Sequence, residues 1–135
     1  MTFLLDTDVI SALRRSERNP GVVRWVESQR TADLHLSVVT VGEIEKGITQ
    51  ERRHDPSFAR ELAVWLDRVL AWYYDRILLI DTATARRWGQ LSAIRGYDSA
   101  DLLIAATALE HGLTVVTGNV RHFEPTGVPT LNPFR

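Results

Sequence analysis

The chain has 135 residues, 44% of them hydrophobic, which is enough to bury one core and too little for two ordinary domains. Its 16 Lys and Arg against 17 Asp and Glu give a formal charge of −1, which excludes the global basic field of many nucleic-acid binders, so any contact with nucleic acid must be local. The absence of cysteine excludes disulfides, zinc-thiolate sites and thiol nucleophiles, and fits a cytoplasmic protein.

The first apolar run, Phe3-Leu4-Leu5, meets Asp6 at once. It has neither the basic n-region nor the long h-region of a signal peptide, and no later stretch approaches the roughly 20 apolar residues that span a bilayer. This run predicts a strand, with a helix starting near Asp8. Valines 22, 23 and 26 step at helical spacing after Pro20, and Leu34 to Val39 predicts a second strand. Ala59, Leu62, Ala63, Leu66, Val69 and Leu70 form an amphipathic stripe after Pro56. Ile77 to Ile80 and Leu113 to Val116 again read as strands buried on both faces of a parallel sheet. Between them, the helix that follows Asp98-Ser99 is apolar almost all round and should be buried, stopping at His111-Gly112. Pro125 to Arg135 reads as a loop with a last short strand. Strands alternating with helices predict a single domain over residues 1–135, a three-layer α/β/α sandwich around a mainly parallel central sheet.

Three acids stand where such a sheet builds its site. Asp6 ends the first strand, and ligand crevices in open α/β sheets lie outside the carboxyl ends of the strands; the same residue, or Thr7, also reads as a helix cap. Asp8 could add a further oxygen or simply favour the first turn through the helix dipole. Glu43 follows the second strand, but Thr40-Val41-Gly42-Glu43 has the spacing of a capping box. Gly42 beside it would admit a close approach to the backbone. Asp101 opens the buried helix; it could pair with Asp98 as a cap, yet a carboxylate entering a buried helix needs a partner, and a cation would supply one. Clustered carboxylates repel, whereas Mg²⁺ or Mn²⁺ binds hard oxygens and converts that repulsion into coordination. His35, His54, His111 and His122 are isolated, with no H-x-x-x-H pair, which argues against zinc. Thr117 and Asn119, just past the fourth strand, place a hydroxyl and an amide at the same edge, although Gly118-Asn119 is also a common turn dipeptide.

These pieces resemble PIN-domain nucleases, especially the VapC and FitB toxins of prokaryotic toxin-antitoxin pairs. The resemblance rests on Leu5-Asp6-Thr7-Asp8-Val9-Ile10, Thr40 to Gly47, Ala100 to Ala108, and Val116 to Phe123, with Asn132-Pro133-Phe134 similar to the end of the FitB-like branch. It implies a Mg²⁺- or Mn²⁺-dependent ribonuclease with Asp6, Glu43 and Asp101 as its principal acids. Asp6 and Asp101 would be direct metal ligands, and Glu43 a ligand or water-positioning group. The family's fourth position falls on Asn119, where many relatives carry Asp, and Asp8 stands where relatives usually carry Asn or Ser. Thr117 and Asn119 would be supporting or substrate contacts. The resemblance also implies a VapB- or FitA-like antitoxin whose amphipathic tail fills a groove and sends a basic side chain to the acids. A toxin homodimer and a larger complex on operator DNA follow from the same resemblance.

Arg14, Arg52 and Arg121 are candidates for gripping phosphates, because Arg binds them bidentately; each also reads as ordinary solvated surface. Trp65, Trp72, Tyr73 and Tyr74 fit core packing or a homodimer face better than base stacking. Two other function classes compete. A catalytically weak PIN-like binding module would explain Asn119, and another Mg²⁺-dependent phosphoryl hydrolase would share the strand-end acids, although no G-x-x-x-x-G-K-[ST] loop is present.

Overall fold

The first strand, β1 (Phe3–Leu5), buries all three side chains, with Phe3 and Leu5 in one apolar cluster and Leu4 in another. Successive side chains of a strand point to opposite faces, so an unbroken apolar run requires both faces to be covered. The structure is a computed structural model describing residues 1–135. The chain continues through α1 (Thr7–Arg14), α2 (Pro20–Glu27), β2 (Leu34–Ser37), α3 (Val38–Glu51), α4 (Pro56–Trp72) and β3 (Ile77–Leu78). It then runs through α5 (Thr82–Arg95), α6 (Ala100–His111), β4 (Thr114–Val116), α7 (Val120–Phe123) and β5 (Thr130–Leu131). The five strands make one all-parallel sheet in the order β3-β2-β1-β4-β5. This is the expected α/β arrangement.

One face of the sheet packs Phe3, Leu5, Leu36 and Val116 against Val9 and Ile10 of α1, Val22 of α2, Ile48 of α3 and Leu66 of α4. The other packs Leu4 and Val115 against Ile104, Ala105 and Ala108 of α6 and Phe123 of α7. The small residues of α6 let it lie close to its neighbour α5. Its stop is a left-handed Gly112 at φ 67°, a conformation without steric cost only for glycine. No helix is long and apolar enough to cross a membrane.

Three expected strands are shorter than their apolar runs, that of Leu113 to Val116 by Leu113 alone. Leu34 to Val39 divides after Ser37, because the Ser37 hydroxyl accepts the Val39 N–H at 3.0 Å and starts α3. Of Ile77 to Ile80 only Ile77–Leu78 is strand; it is only partly buried and Leu79 is exposed, since β3 lies at the sheet edge. The aromatic group also divides. Tyr73 is buried and Trp65 packs against the same core, whereas Trp72 and Tyr74 are exposed. Arg76 fixes this corner: its guanidinium donates to the Thr31 and Leu34 carbonyls at 2.7 Å and to Trp72 at 2.8 Å, and lies 4.6 Å from the Tyr73 ring centre.

Candidate active site

The strand order reverses direction about β1 and β4, and the crevice beyond their carboxyl ends is where an α/β sheet holds a ligand. Leu5 is in register with Val116, so the next residues, Asp6 and Thr117, become neighbours. Asp6 is buried and is the N-cap of α1, its Oδ1 accepting the Thr7 N–H at 2.8 Å. The capping reading therefore holds, and Asp6 also lies at the strand end where a ligand crevice is expected. Its other oxygen, Oδ2, accepts the Thr117 hydroxyl at 2.8 Å, and Thr117 Oγ1 in turn accepts the Asn119 N–H at 2.9 Å.

Asp8 shares this corner. The Gly118 N–H donates to its Oδ2 at 2.8 Å and the Asn119 amide to the same oxygen at 3.5 Å, while its Oδ1 is buried without a hydrogen-bond partner. Asp101 lies in the first turn of α6, but Ser99 is the cap, accepting the Leu102 N–H at 3.3 Å. Asp101 is instead paired with His122, whose Nδ1 is 3.0 Å from Asp101 Oδ2. A neutral ring protonated at Nδ1 suffices as the donor.

Glu43 is not the end of a capping box. Helix α3 begins at Val38, so Thr40 is buried inside its first turn and Glu43 projects from the second. The Thr7 hydroxyl donates to Glu43 Oε1 at 2.6 Å and lies 3.0 Å from Thr40 Oγ1. Gly42 beside it makes no close approach: an added Cβ would meet nothing within 4 Å.

Electrostatics distinguish these acids. Burial, then the charge of Asp8, pushes the Asp6 carboxyl up to about 7 from 3.8; the Thr117 and Thr7 hydrogen bonds oppose the rise and Asp101 adds to it. Asp8 is raised as well, chiefly by burial, against the hydrogen bonds from Gly118 and Val9. Asp6, Asp8 and Asp101 thus form one electrostatically linked group, whereas Glu43 is held on its flank by Thr7.

A divalent cation suits this chemistry in three respects: the donors are hard oxygens, burial with neighbouring negative charge raises two of them, and Asp8 Oδ1 is buried and unpaired. The carboxylates are not drawn into a finished cage, since no three acidic or imidazole groups surround one point. Loading would therefore involve side-chain rotation, which the exposed Glu43 and half-buried Asp101 can provide.

A groove of about 620 Å³ opens beside Asp8 and Glu43, walled by Arg14, Ile48, Trp65 and Phe134. Arg14 is within this groove, 5.3 Å from the Phe58 ring centre. Arg121 lies in a separate polar cleft with Asn119, His122 and Arg135, and lines another with Asp101. Arg52 is brought to neither, since it caps the far end of α3, about 13 Å along the helix from Glu43 at 1.5 Å per residue. Thr7, His122 and the Gly118 amide are contacts that sequence reasoning missed. Thr7 carried a signal in its place directly after Asp6, but its partner lies 36 residues away.

Thr117→Val keeps the shape of a fully buried side chain and removes the hydroxyl that faces Asp6. We expect a loss of about 1–3 kcal/mol in urea unfolding of the metal-free protein, the cost of an unmet buried acceptor.

Taken together, fold and site define an α/β protein with a carboxylate centre at the switch point of a parallel sheet. The PIN domain model matches residues 3–127. The chain belongs to the PIN domain family. It is similar over 97% of its length to plasmid stability protein StbB of Pseudomonas syringae pv. tomato (34% identity, 97% of that protein). It has 32% identity to VapC ribonuclease Y4jK of Sinorhizobium fredii, over 97% of this chain and 96% of that one. Toxin FitB of Neisseria gonorrhoeae is also 32% identical, over 97% of each chain. Among solved structures, FitAB bound to a DNA fragment matches with a TM-score of 0.86 and 31% identity, covering 99% of this chain and 96% of that one.

Proposed function

We propose that this chain is a metal-dependent endoribonuclease, the toxin of a type II toxin-antitoxin pair, which hydrolyses RNA phosphodiester bonds. The observation that carries the reading is the buried Asp6, raised to about 7 beside Asp8 and Asp101 at the switch point of a PIN-domain sheet. A carboxylate kept in so unfavourable a place has a use for a cation. Asp6, Asp101 and Glu43 would hold Mg²⁺ or Mn²⁺, with Asp8 supplying the charge that Asn119 lacks. Bound there, the cation activates water and offsets charge at the scissile phosphate. Thr117 orients Asp6, Thr7 orients Glu43, and Asn119 contacts Asp8. Arg14, in the groove with Asp8 and Glu43, and Arg121, in a cleft with Asp101, would grip phosphates.

The apolar groove with Asp8 and Glu43 at its end fits an amphipathic segment ending in a basic side chain, the chemistry of a VapB- or FitA-like antitoxin tail. In this reading, residues 1–135 act as one domain in the cytoplasm, as a homodimer that joins its antitoxin on operator DNA, with the antitoxin reading the DNA. The absence of a finished ligand cage and the amide at position 119 favour a second reading, a PIN-like module that only holds its partner.

Cleavage of total cellular RNA by the purified, antitoxin-free chain separates the two readings. The nuclease reading expects fragments with Mg²⁺ or Mn²⁺ and none with EDTA. Intact RNA under all conditions, from a protein shown to be folded, would establish the binding module instead.

A further inference from the structure

The segment after β5 reaches back to the acids. The Phe134 N–H donates to Asn132 Oδ1 at 2.9 Å, closing a tight turn around the buried Pro133. The Pro133 carbonyl oxygen is 3.3 Å from where a Cβ on Gly21 would be, so the start of α2 leaves just enough room for the turn. On its other side, ring atoms Cδ2 and Cε2 of Phe134 lie 3.0 Å from the Cβ position of Gly118, and Asp8 Oδ2 lies 3.0 Å from the same point. Gly118 does not have the positive φ that would demand glycine, so what its missing side chain provides here is space. The Phe134 ring and the Asp8 carboxylate fill that space together.

Gly118 belongs to the short turn that holds the buried Asp6 and the half-buried Asp8. Its N–H binds Asp8, the preceding Thr117 hydroxyl binds Asp6, and the following Asn119 N–H binds Thr117. The Thr117 N–H is itself tied to the Leu131 carbonyl at 2.9 Å, one residue before Asn132. We propose that Phe134 is a positioning residue: its ring braces the Thr117–Asn119 turn and thereby fixes Asp6 and Asp8. This inference rests on the nuclease reading for its catalytic consequence, but not for its structural one. A brace matters because the turn faces two carboxylates that repel each other, and its hydrogen bonds hold their oxygens in place only as firmly as the turn itself is held.

The test uses the full chain with Phe134→Ala, Phe134→Tyr, Gly118→Ala and the Gly118→Ala/Phe134→Ala pair. Amide hydrogen exchange in the metal-free protein reads the brace directly. Phe134→Ala should speed exchange of the Gly118 N–H by about tenfold or more, with Leu5 and Val116 in the sheet unchanged and Phe134→Tyr restoring protection. In RNA cleavage, kcat should fall about 10- to 100-fold with KM within about twofold, the pattern of displaced acids rather than of lost RNA contacts. Gly118→Ala crowds both the ring and Asp8 Oδ2 and should lower kcat by itself; removing the ring relieves one of the two clashes, so the pair should lose less than the sum of the single losses. Unchanged Gly118 exchange in Phe134→Ala, or strictly additive losses in the pair, would overturn the brace. If the wild-type chain cleaves no RNA, the nuclease reading fails, and the exchange data still decide whether Phe134 holds the turn.

Discussion

Asp101→Asn will yield a folded protein whose RNA cleavage is lower by about 10²–10³-fold, the scale of losing one preorganised electrostatic group, and Asp6→Asn will do the same. The two variants differ in what else changes. Asp101 is only partly buried and faces His122, so its amide replacement exchanges one hydrogen-bond acceptor for another and should leave the melting temperature nearly unchanged. Asp6 is buried among like charges, and its neutral replacement removes that cost, so the metal-free variant should melt higher than the parent while cleaving far less RNA. Activity and stability moving in opposite directions at Asp6 is the signature of a residue placed for a ligand rather than for the fold. Cleavage assays beside calorimetry check it, and wild-type activity in both variants would remove the assignment of Asp6 and Asp101.

Stability of the metal-free protein should fall as pH rises through the neutral range. The sign follows from Asp6: its carboxyl titrates near 3.8 when unfolded and at about 7 in the native state. Between those values the native chain holds a proton that the unfolded chain has released, so raising the pH pulls towards unfolding, and the effect levels off above about 7. The full shift corresponds to on the order of 4 kcal/mol at 1.36 kcal/mol per pKa unit, of which some 2–3 kcal/mol falls between pH 5 and 8. For a chain of this size that is about 5–15 °C in melting temperature. Asp8, also raised, contributes with the same sign. The lowered carboxyl of Asp81 acts oppositely, but only in acid, below the range compared. Melting curves from pH 5 to 8 for the parent and Asp6→Asn isolate the effect, because groups common to both cancel in the difference. Mn²⁺ should reverse the trend, stabilising more at pH 8 than at pH 5, since ligands must be ionised to bind. An equal pH slope in parent and variant would show that Asp6 is not the group responsible.

The acids were legible in the sequence to different degrees, for physical reasons. Asp6 and Thr117 each end an apolar run, and a parallel sheet brings such ends to one edge whatever the intervening chain does. Glu43 could be read equally as a cap, because T-x-x-E spacing is local and the true start of α3 at Val38 depends on Ser37, hidden inside an apolar stretch. The third helix-sized gap gave no comparable pattern: α5 buries only Thr84 completely and meets the core with a few half-buried side chains, so its amphipathic signal is faint. The short β3 was overread for the opposite reason, since apolarity at a sheet edge does not require burial.

By itself the sequence determined the α/β class, the parallel sheet, and the placing of Asp6 at a strand end and Asp101 at a helix start. Periodicity and capping act between residues a few positions apart, where the chain's own geometry transmits them. Only the tertiary structure decided which acids share a field, that Asp8 joins Asp6 while Glu43 stands aside under Thr7, and that Phe134 packs on Gly118 next to Asp8. Apart from the Asp6–Asp8 pair, those relations join residues 16 to 126 positions apart, through distances of a few ångströms that no local pattern encodes; they exist only once the sheet register has been set by burying both of its faces.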